Sequence, residues 1–411
     1  VEKYLELVSR DKEKKYTSKA LFNASVAYEF MNKFDSATKL YEQVYRDYPD
    51  DPLSSYALYR VAVNAERFFE YDKAVTNYIV FYERFGKSPT PEALSGLDFN
   101  YDDRAQASLL NAAVLLKDQQ KYRDAAQRFE EFERVYPSNE NADDAAWEAV
   151  LAWEKAGRKR DMNKAIDAFI ARHGSSANNF KVFQGLDKQL EYAIERKAKK
   201  TERQLYERML SEYVARAIQP GTREAYFAAK AQFMLTEVEF EKWDDIEIKG
   251  NLDKQKKALV AKKDGLSMVI AQYDAVVVYG NLEYIMAAFF RQGYMHQRFA
   301  SALYDAPVPF PEGSEAWDIY RQQLDDFAIP YEDKAIADYE EIVKQAREKK
   351  VVNEWTKRTL EELNKYRPAE YPLYKEERRA TVQTSSSGQP LLDAAGAKTV
   401  TGKAPKAPAS K

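Results

Sequence analysis

The sequence predicts an all-α protein, an α-solenoid of antiparallel helix hairpins stacked in series. Three observations predict it. An alanine followed four positions later by an aromatic ring recurs as Ala37 and Tyr41, Ala74 and Tyr78, and Ala125 and Phe129. Apolar residues make up 45% of the 411 and charged ones 31%, while Gly and Pro number only 14 and 15. That balance suits long amphipathic helices with short turns. Apolar residues recur at helical spacing, and runs alternating apolar and polar, as half-buried strands do, are few.

Residues 18–51 form the unit on which the rest is patterned. Leu21, Ala24 and Tyr28 mark the inner face of a first helix, and Ala37, Tyr41 and Val44 that of a second. Two helices approach closely only where side chains are small, and Ser25 and Ala37 provide that. Phe34 is expected to plug the turn. Pro49 stops the second helix, because its ring cannot continue the hydrogen-bonded ladder. One hairpin cannot bury both of its faces, so such units must stack.

The remaining elements follow in order. Residues 1–15 are charged and periodic, with Tyr4, Leu5 and Val8 on one face, which predicts a short helix. The second hairpin spans 52–85, with Leu58, Val61, Ala62 and Ala65 in its first helix, Tyr71 at the turn, then Ala74 and Tyr78. Gly86, Pro89, Pro91 and Gly96 punctuate a loop. The third hairpin begins near Asp102, with Leu109, Ala112, Ala113 and Leu116, then Tyr122, Ala125, Phe129 and Pro137. A weaker fourth covers 142–173, with Trp147, Val150 and Leu151, and with Ala165 and Phe169 as the second-helix signature. Residues 178–218 read as a helix pair low in small residues. Longer helices follow at 223–243, 252–279 and 284–303, the last with Phe289, Gly293 and His296 in the large, small and aromatic positions. Its second helix arrives late, at Ala335 and Tyr339. An insertion at 304–329 holds a Pro-rich loop around 306–310 and a short helix over 315–327. Residues 354–366 close the stack. The predicted divisions are therefore 1–175, with shorter hairpins, 176–380, with longer ones, and a low-complexity tail at 381–411. The tail cannot bury enough apolar surface to become ordered. It serves as a plain tail, or as a tether making weak anionic contacts.

Composition excludes several functions. The net charge of −3 and the lack of a long basic run argue against a nucleic-acid interface. The short runs at 197–200 and at Lys262 and Lys263 read as solvated helix faces. With no cysteine, disulfides, thiol nucleophiles and thiolate metal sites are excluded. That absence also suits an oxidising compartment. No stretch is apolar for long enough to span a membrane. The chain opens on Val1 rather than Met, which either a removed leader or a trimmed chain explains, and a lipid anchor upstream of Val1 stays open.

No catalytic, cofactor or metal site is legible, and the chain reads as no enzyme. His173 and His296 lack metal-ligand spacing; His173 reads as a helix cap and His296 as a packed residue. The acid pairs Asp102 and Asp103, Asp143 and Asp144, and Asp244 and Asp245 fall where helices are expected to start. Carboxylates there favour the helix dipole without acid–base chemistry.

The order small residue, aromatic, Ala-x-x-x-aromatic, Pro resembles the tetratricopeptide repeat family, closely over residues 18–137 and loosely beyond. The resemblance implies a protein-binding groove lined by first-helix residues: Phe22, Val26 and Glu29, then Tyr56, Tyr59, Val63 and Glu66, then Leu110, Val114 and Lys117. Two readings of this apolar lining stay open. It docks an apolar or amphipathic segment of a partner, or neighbouring helices of the same chain cover it. The family's carboxylate clamp is not matched, since Phe22 and Val26 stand where Lys and Asn are wanted, and Arg60 reads as a solvated charge. Asn111 alone fits a polar position.

The runs Phe289-Phe-Arg-Gln-Gly-Tyr, Ala302-Leu-Tyr-Asp-Ala-Pro-Val-Pro and Ile329-Pro-Tyr-Glu-Asp-Lys-Ala-Ile are similar to long repeat proteins of myxobacteria. Some of those belong to the cell envelope and the gliding-motility machinery. That resemblance implies a periplasmic or outer-membrane-associated scaffold joining envelope complex subunits, with a cytoplasmic location as the alternative. A second function stays open, a glycan-binding or enzyme-accessory module using exposed tyrosines. The oligomeric state is not legible.

Overall fold

The computed structural model describes residues 1–94 and 96–373. The tail expected from Thr381 lies outside them. Among the described residues there are helices and turns and no strand. Contacts divide the chain into two compact units, Val1–Ala231 and Gln232–Lys411, the division falling within a helix. The sequence-based division at 175 lies inside the first unit.

The first unit opens with α1 (Glu2–Arg10). Five hairpins follow: α2 (Thr17–Phe30) with α3 (Phe34–Asp47), α4 (Pro52–Arg67) with α5 (Tyr71–Phe85), α6 (Tyr101–Asp118) with α7 (Tyr122–Val135), α8 (Ala142–Lys155) with α9 (Lys159–His173), and α10 (Asn179–Glu195) with α11 (Lys199–Ala215). Short 3-10 turns, Glu92–Leu94 and Ser176–Asn178, interrupt the connections. The helix α12 (Arg223–Asp244) carries the chain across the division.

One turn joins the two helices in all five of these hairpins. Asn32, Phe69, Gln120, Gly157 and Lys197 each take a left-handed conformation, with φ of 56°, 61°, 61°, 68° and 54°. In each, the next residue donates its N–H to a carbonyl five positions back, as Lys33 does to Tyr28 at 2.9 Å and Ala198 does to Ala193 at 2.9 Å. This is the Schellman arrangement, which satisfies the orphan carbonyls of the first helix and sets the start of the second. Only one of the five positions is glycine, so the turn is hard to read from sequence. A side chain in this conformation brings Cβ against the following carbonyl and costs about 1–2 kcal/mol. Gln120→Gly is therefore expected to stabilise the protein by ~0.5–1 kcal/mol after the entropy of a freer unfolded chain is counted. A urea titration checks this by a rise in midpoint.

Because the turn fixes register, the second helices can be aligned from their first residues. Their fourth, eighth and eleventh positions are Ala37, Tyr41 and Val44; Ala74, Tyr78 and Phe81; Ala125, Phe129 and Phe132; Met162, Ile166 and Phe169; and Glu202, Tyr206 and Met209. All are buried except Glu202, which is half-buried. Ala37, Ala74 and Ala125 thus take equivalent seats and are wholly inaccessible to solvent. The fourth hairpin corrects the sequence reading. Its signature is Met162 and Ile166, one turn earlier than Ala165 and Phe169, because the left-handed residue at Gly157 starts α9 at Lys159. Phe34 does not plug its own turn. Its ring packs edge-on against Phe68 of the next hairpin at 6.2 Å and lies under the Arg67 guanidinium at 4.9 Å.

The second unit contains the end of α12, then α13 (Leu252–Val277), α14 (Leu282–Tyr304), α15 (Glu315–Lys349) and α16 (Glu354–Tyr366). Its core joins Met286 and Phe290 of α14 to Ala335, Tyr339, Ile342 and Val343 of α15 and Leu363 of α16. Gly293 faces Tyr339 so closely that an added Cβ would sit 3.0 Å from the ring, which supports its reading as the small position. The short helix expected at 315–327 is not separate. It continues through Pro330 into the late second helix, making one helix of 35 residues. Proline removes one ladder hydrogen bond, but Leu324, Ala328, Ala335 and Tyr339 are all buried along that helix, and their burial outweighs the break.

Two further corrections concern charge. Asp244 and Asp245 lie at the end of α12, not at a helix start. Lys262 is only 2% exposed rather than solvated. Its ammonium donates to the carbonyls of Trp243, Asp244 and Ile246 at 3.2, 3.1 and 2.9 Å, closing the end of α12. Burial lowers the Lys262 pKa, against the attraction of Asp244.

Candidate protein-interaction surface

The first helices α2, α4 and α6 present the residues proposed to line a groove, and the structure places them in three situations. Phe22 is buried in the core of the first hairpins, with its ring edge-on to Tyr41 at 5.7 Å and Tyr56 at 5.1 Å. Tyr59 is buried among Tyr78, Phe81 and Phe99, at ring distances of 6.1, 5.6 and 5.8 Å. Val26, Tyr56, Val63, Leu110 and Val114 are half-buried.

The loop between α5 and α6 causes much of this covering. Phe99 lies 4.5 Å from the Tyr56 ring, Leu94 is fully buried, and Leu97 packs on the same cluster as Phe22. The Tyr101 N–H donates to the Thr90 hydroxyl at 2.8 Å and fastens the loop. The Arg104 guanidinium lies over both Tyr59 and Phe99, at 5.4 and 5.9 Å. Gly and Pro mark this stretch as a turn region in sequence, but its three apolar residues are placed to cover α4.

The polar positions of the same row hold neighbouring hairpins together. Glu29 accepts from Arg60 of the next first helix in a forked pair, at 3.1 and 2.8 Å, and from Asn64 at 3.0 Å. It also accepts from the Tyr41 hydroxyl at 3.3 Å. Arg60 is therefore not a solvated charge. Burial lowers its pKa, but the bonds and charge of Glu29 outweigh that and hold it above the ordinary arginine value. Glu66 accepts from Tyr78 at 2.7 Å, and Lys117 pairs with Glu148 of the next first helix at 3.1 Å. Further along, Glu154 pairs with Lys188 at 2.7 Å and Asp187 with Lys230 at 2.6 Å. Charge-assisted bonds at this burial are stronger than surface pairs and set the stacking register. The second unit has a related node, where Glu237 receives Arg291 at 2.6 Å and the Tyr273 hydroxyl.

His173 does not act as a cap. Its Nε2 bonds Glu133 at 2.9 Å, and Glu133 is almost wholly buried and also pairs with Arg172. His296 packs between α14 and α15, its Nδ1 2.8 Å from Asp338. Asp338 sits below the ordinary carboxylate pKa, since the bonds from His296 and Lys334 outweigh the opposing effect of burial. Among the described residues no group of three or more His, Asp or Glu could hold a metal ion, and no helix is long and apolar enough to cross a membrane.

The sequence reading missed a different surface. At the turns of the first two hairpins Phe30 is 84% exposed and Phe69 76%, with Met31 and Phe68 also open to solvent. The contact of Phe34 with Phe68 connects the two tips. Consecutive pairs of large apolar residues at a turn, Phe30 with Met31 and Phe68 with Phe69, were the available signal, because turns are otherwise polar.

Comparison with known proteins bears on the first hairpin directly. A family model described as Tetratricopeptide repeat matches residues 19–51. No curated protein matches the chain. Among solved structures, the chain is similar to a tetratricopeptide repeat protein from Parabacteroides merdae, with 13% identity over 76% of this chain and 98% of that one, and a TM-score of 0.27. It is also similar to a circular tandem repeat protein with a novel repeat topology, with 14% identity, 89% and 87% covered, and a TM-score of 0.23. A third is the human IFIT1 dimer with m7Gppp-AAAA, at 12% identity, 90% and 89% covered, and a TM-score of 0.18. The hairpin of α2 and α3, whose turn also joins the helices of the other four hairpins, carries a tetratricopeptide repeat.

Proposed function

We propose that the chain is a non-catalytic scaffold that joins protein partners. Tetratricopeptide repeats generally mediate such interactions, and the observation that carries the reading here is the apolar patch at the tips of the first two hairpins. Four large apolar side chains there are open to water, an arrangement characteristic of protein-binding surfaces. The resemblance of the second half to myxobacterial envelope proteins supports a finer reading, a periplasmic or outer-membrane-associated scaffold of a gliding-motility-like complex, and the absence of cysteine suits that compartment. A cytoplasmic location is its alternative. The glycan-binding reading has less support, because Tyr59 is buried and Tyr56 lies under Phe99.

Phe22 and Tyr59 are unsuited to testing this proposal, since changing either disrupts packing. Phe30→Glu combined with Phe69→Glu alters only exposed side chains. Cross-linking in the source cells, read by mass spectrometry, is expected to lose at least one partner with the double variant while circular dichroism is unchanged. Retention of every partner overturns the patch as a docking surface. Partners recovered only from the cytosol overturn the envelope placement.

A further inference from the structure

Among the described residues α16 is the last helix, and it borders a groove. In the first unit each second helix leans on the second helix before it. The bond of Lys73 on α5 to Glu42 on α3, the guanidinium of Arg84 over Tyr45, and Tyr82 on α5 donating to Glu131 on α7 at 3.1 Å all cross that seam. In the second unit α16 packs on both α14 and α15, as a first helix does. No second helix follows it among the described residues. The seat that such a helix would fill is a groove of about 580 Å³ between the end of α15 and α16. Ala346, Leu360 and Leu373 line its apolar floor, and Val352, 93% exposed, stands at its edge.

Charge distinguishes among occupants. Arg347, Lys350 and Lys357 rim the groove, and none of them has an ion-pair partner among the described residues. Glu361 is the one carboxylate in the lining. Residues 374–411 carry seven cations against three carboxylates, so the chain's own following segment has the same sign as the rim.

We propose that this groove takes an acidic amphipathic helix from a partner protein, which completes the last hairpin in trans. The proposal rests on the scaffold reading and names a second surface for it. The helix lays apolar residues at i, i+4 and i+7 on Ala346, Leu360 and Leu373, the spacing used by the chain's own second helices, and places Asp or Glu against the three cations. A length of about 14 residues matches those helices.

The 411-residue chain is panned against displayed random peptides of about 16 residues, and the enriched peptides are synthesised and titrated by fluorescence anisotropy. The expected peptides carry that apolar spacing with an acidic excess. They bind about tenfold more weakly to Val352→Glu and to the Arg347→Glu plus Lys357→Glu pair. They also weaken as salt is raised. Enriched peptides that ignore both variants, or that are neutral or basic, overturn the proposal. Binding that emerges only when Leu391→Glu and Leu392→Glu are introduced overturns it in favour of the chain's own tail. A concentration-dependent dimer abolished by Val352→Glu overturns it in favour of a second copy. Loss of partners from the tip variant leaves this result untouched, so the two surfaces fail separately.

Discussion

Raising the pH above 10 is expected to unfold the first unit within two to three pH units, more steeply than a chain with exposed tyrosines would. Tyr41, Tyr78 and Tyr206 are buried in equivalent seats, and burial raises each pKa well above the ordinary tyrosine value. Glu29 adds its charge beside Tyr41, and Glu66 its bond and charge beside Tyr78. Tyr82, pushed up to about 12 chiefly by burial, strengthens the trend. In the unfolded chain all of them titrate near 10. Below that pH both states are protonated and the stability from these residues is complete. Above it the unfolded chain loses protons that the folded chain keeps, so stability falls as pH rises. Each fully buried tyrosine contributes a slope of about 1.4 kcal/mol per pH unit, and three give roughly 4. A unit stable by about 5–15 kcal/mol cannot withstand much of that. Circular dichroism and tyrosinate absorbance, followed together through an alkaline titration, should change in one step. Tyr41→Phe with Tyr78→Phe should flatten the slope by about two thirds, at a cost near pH 7 of about 1 kcal/mol for each lost hydrogen bond. Tyrosinate absorbance that rises smoothly from pH 10, with no change in helix signal, would contradict the assignment.

Lys262→Met is expected to destabilise the second unit by about 3 kcal/mol. Methionine keeps most of the aliphatic stem, so packing beside Trp243 survives. The three carbonyls at the end of α12 lose their common donor, and each buried acceptor left unsatisfied costs about 1–3 kcal/mol. The ammonium also lies 4.5 Å from the centre of the Trp243 ring, and the Trp243 indole N–H donates back to the Lys262 carbonyl at 2.7 Å. The two residues thus fasten α12 to α13 in both directions. Urea unfolding followed by tryptophan fluorescence should show the loss, with Lys263→Met as the control. An equal and small effect at both positions would mean that water replaces the ammonium.

The repeat was legible where a residue type has one physical use. Ala37, Ala74 and Ala125 are wholly buried at one register position, so their spacing carried the register. Legibility failed where two uses compete for one residue type. Lys262 has the same composition as a solvated lysine, and only the carbonyls 16 to 19 residues earlier show its role. Glu29 and Arg60, read as groove lining and solvated charge, lie 31 residues apart and form one bond between hairpins. In the fourth hairpin Met162 fills the seat that alanine holds in the first three, and Ala165 and Phe169 lie one turn later in the same spacing. The groove was misread in part for a related reason. Gly and Pro at 86–96 signal a turn, and turn residues say nothing about where Phe99 will land.

That loop also affects how the chain meets a protease. Its composition is of the kind that cleaving enzymes favour, since they need several consecutive residues to extend into their clefts. Leu94 and Phe99 must leave the surface of α4 before the backbone around them can extend, which exposes Tyr56 and Tyr59 as well. The segment most like a connector in its residues is therefore guarded by the two hairpins it covers, and it should be nicked only when they open.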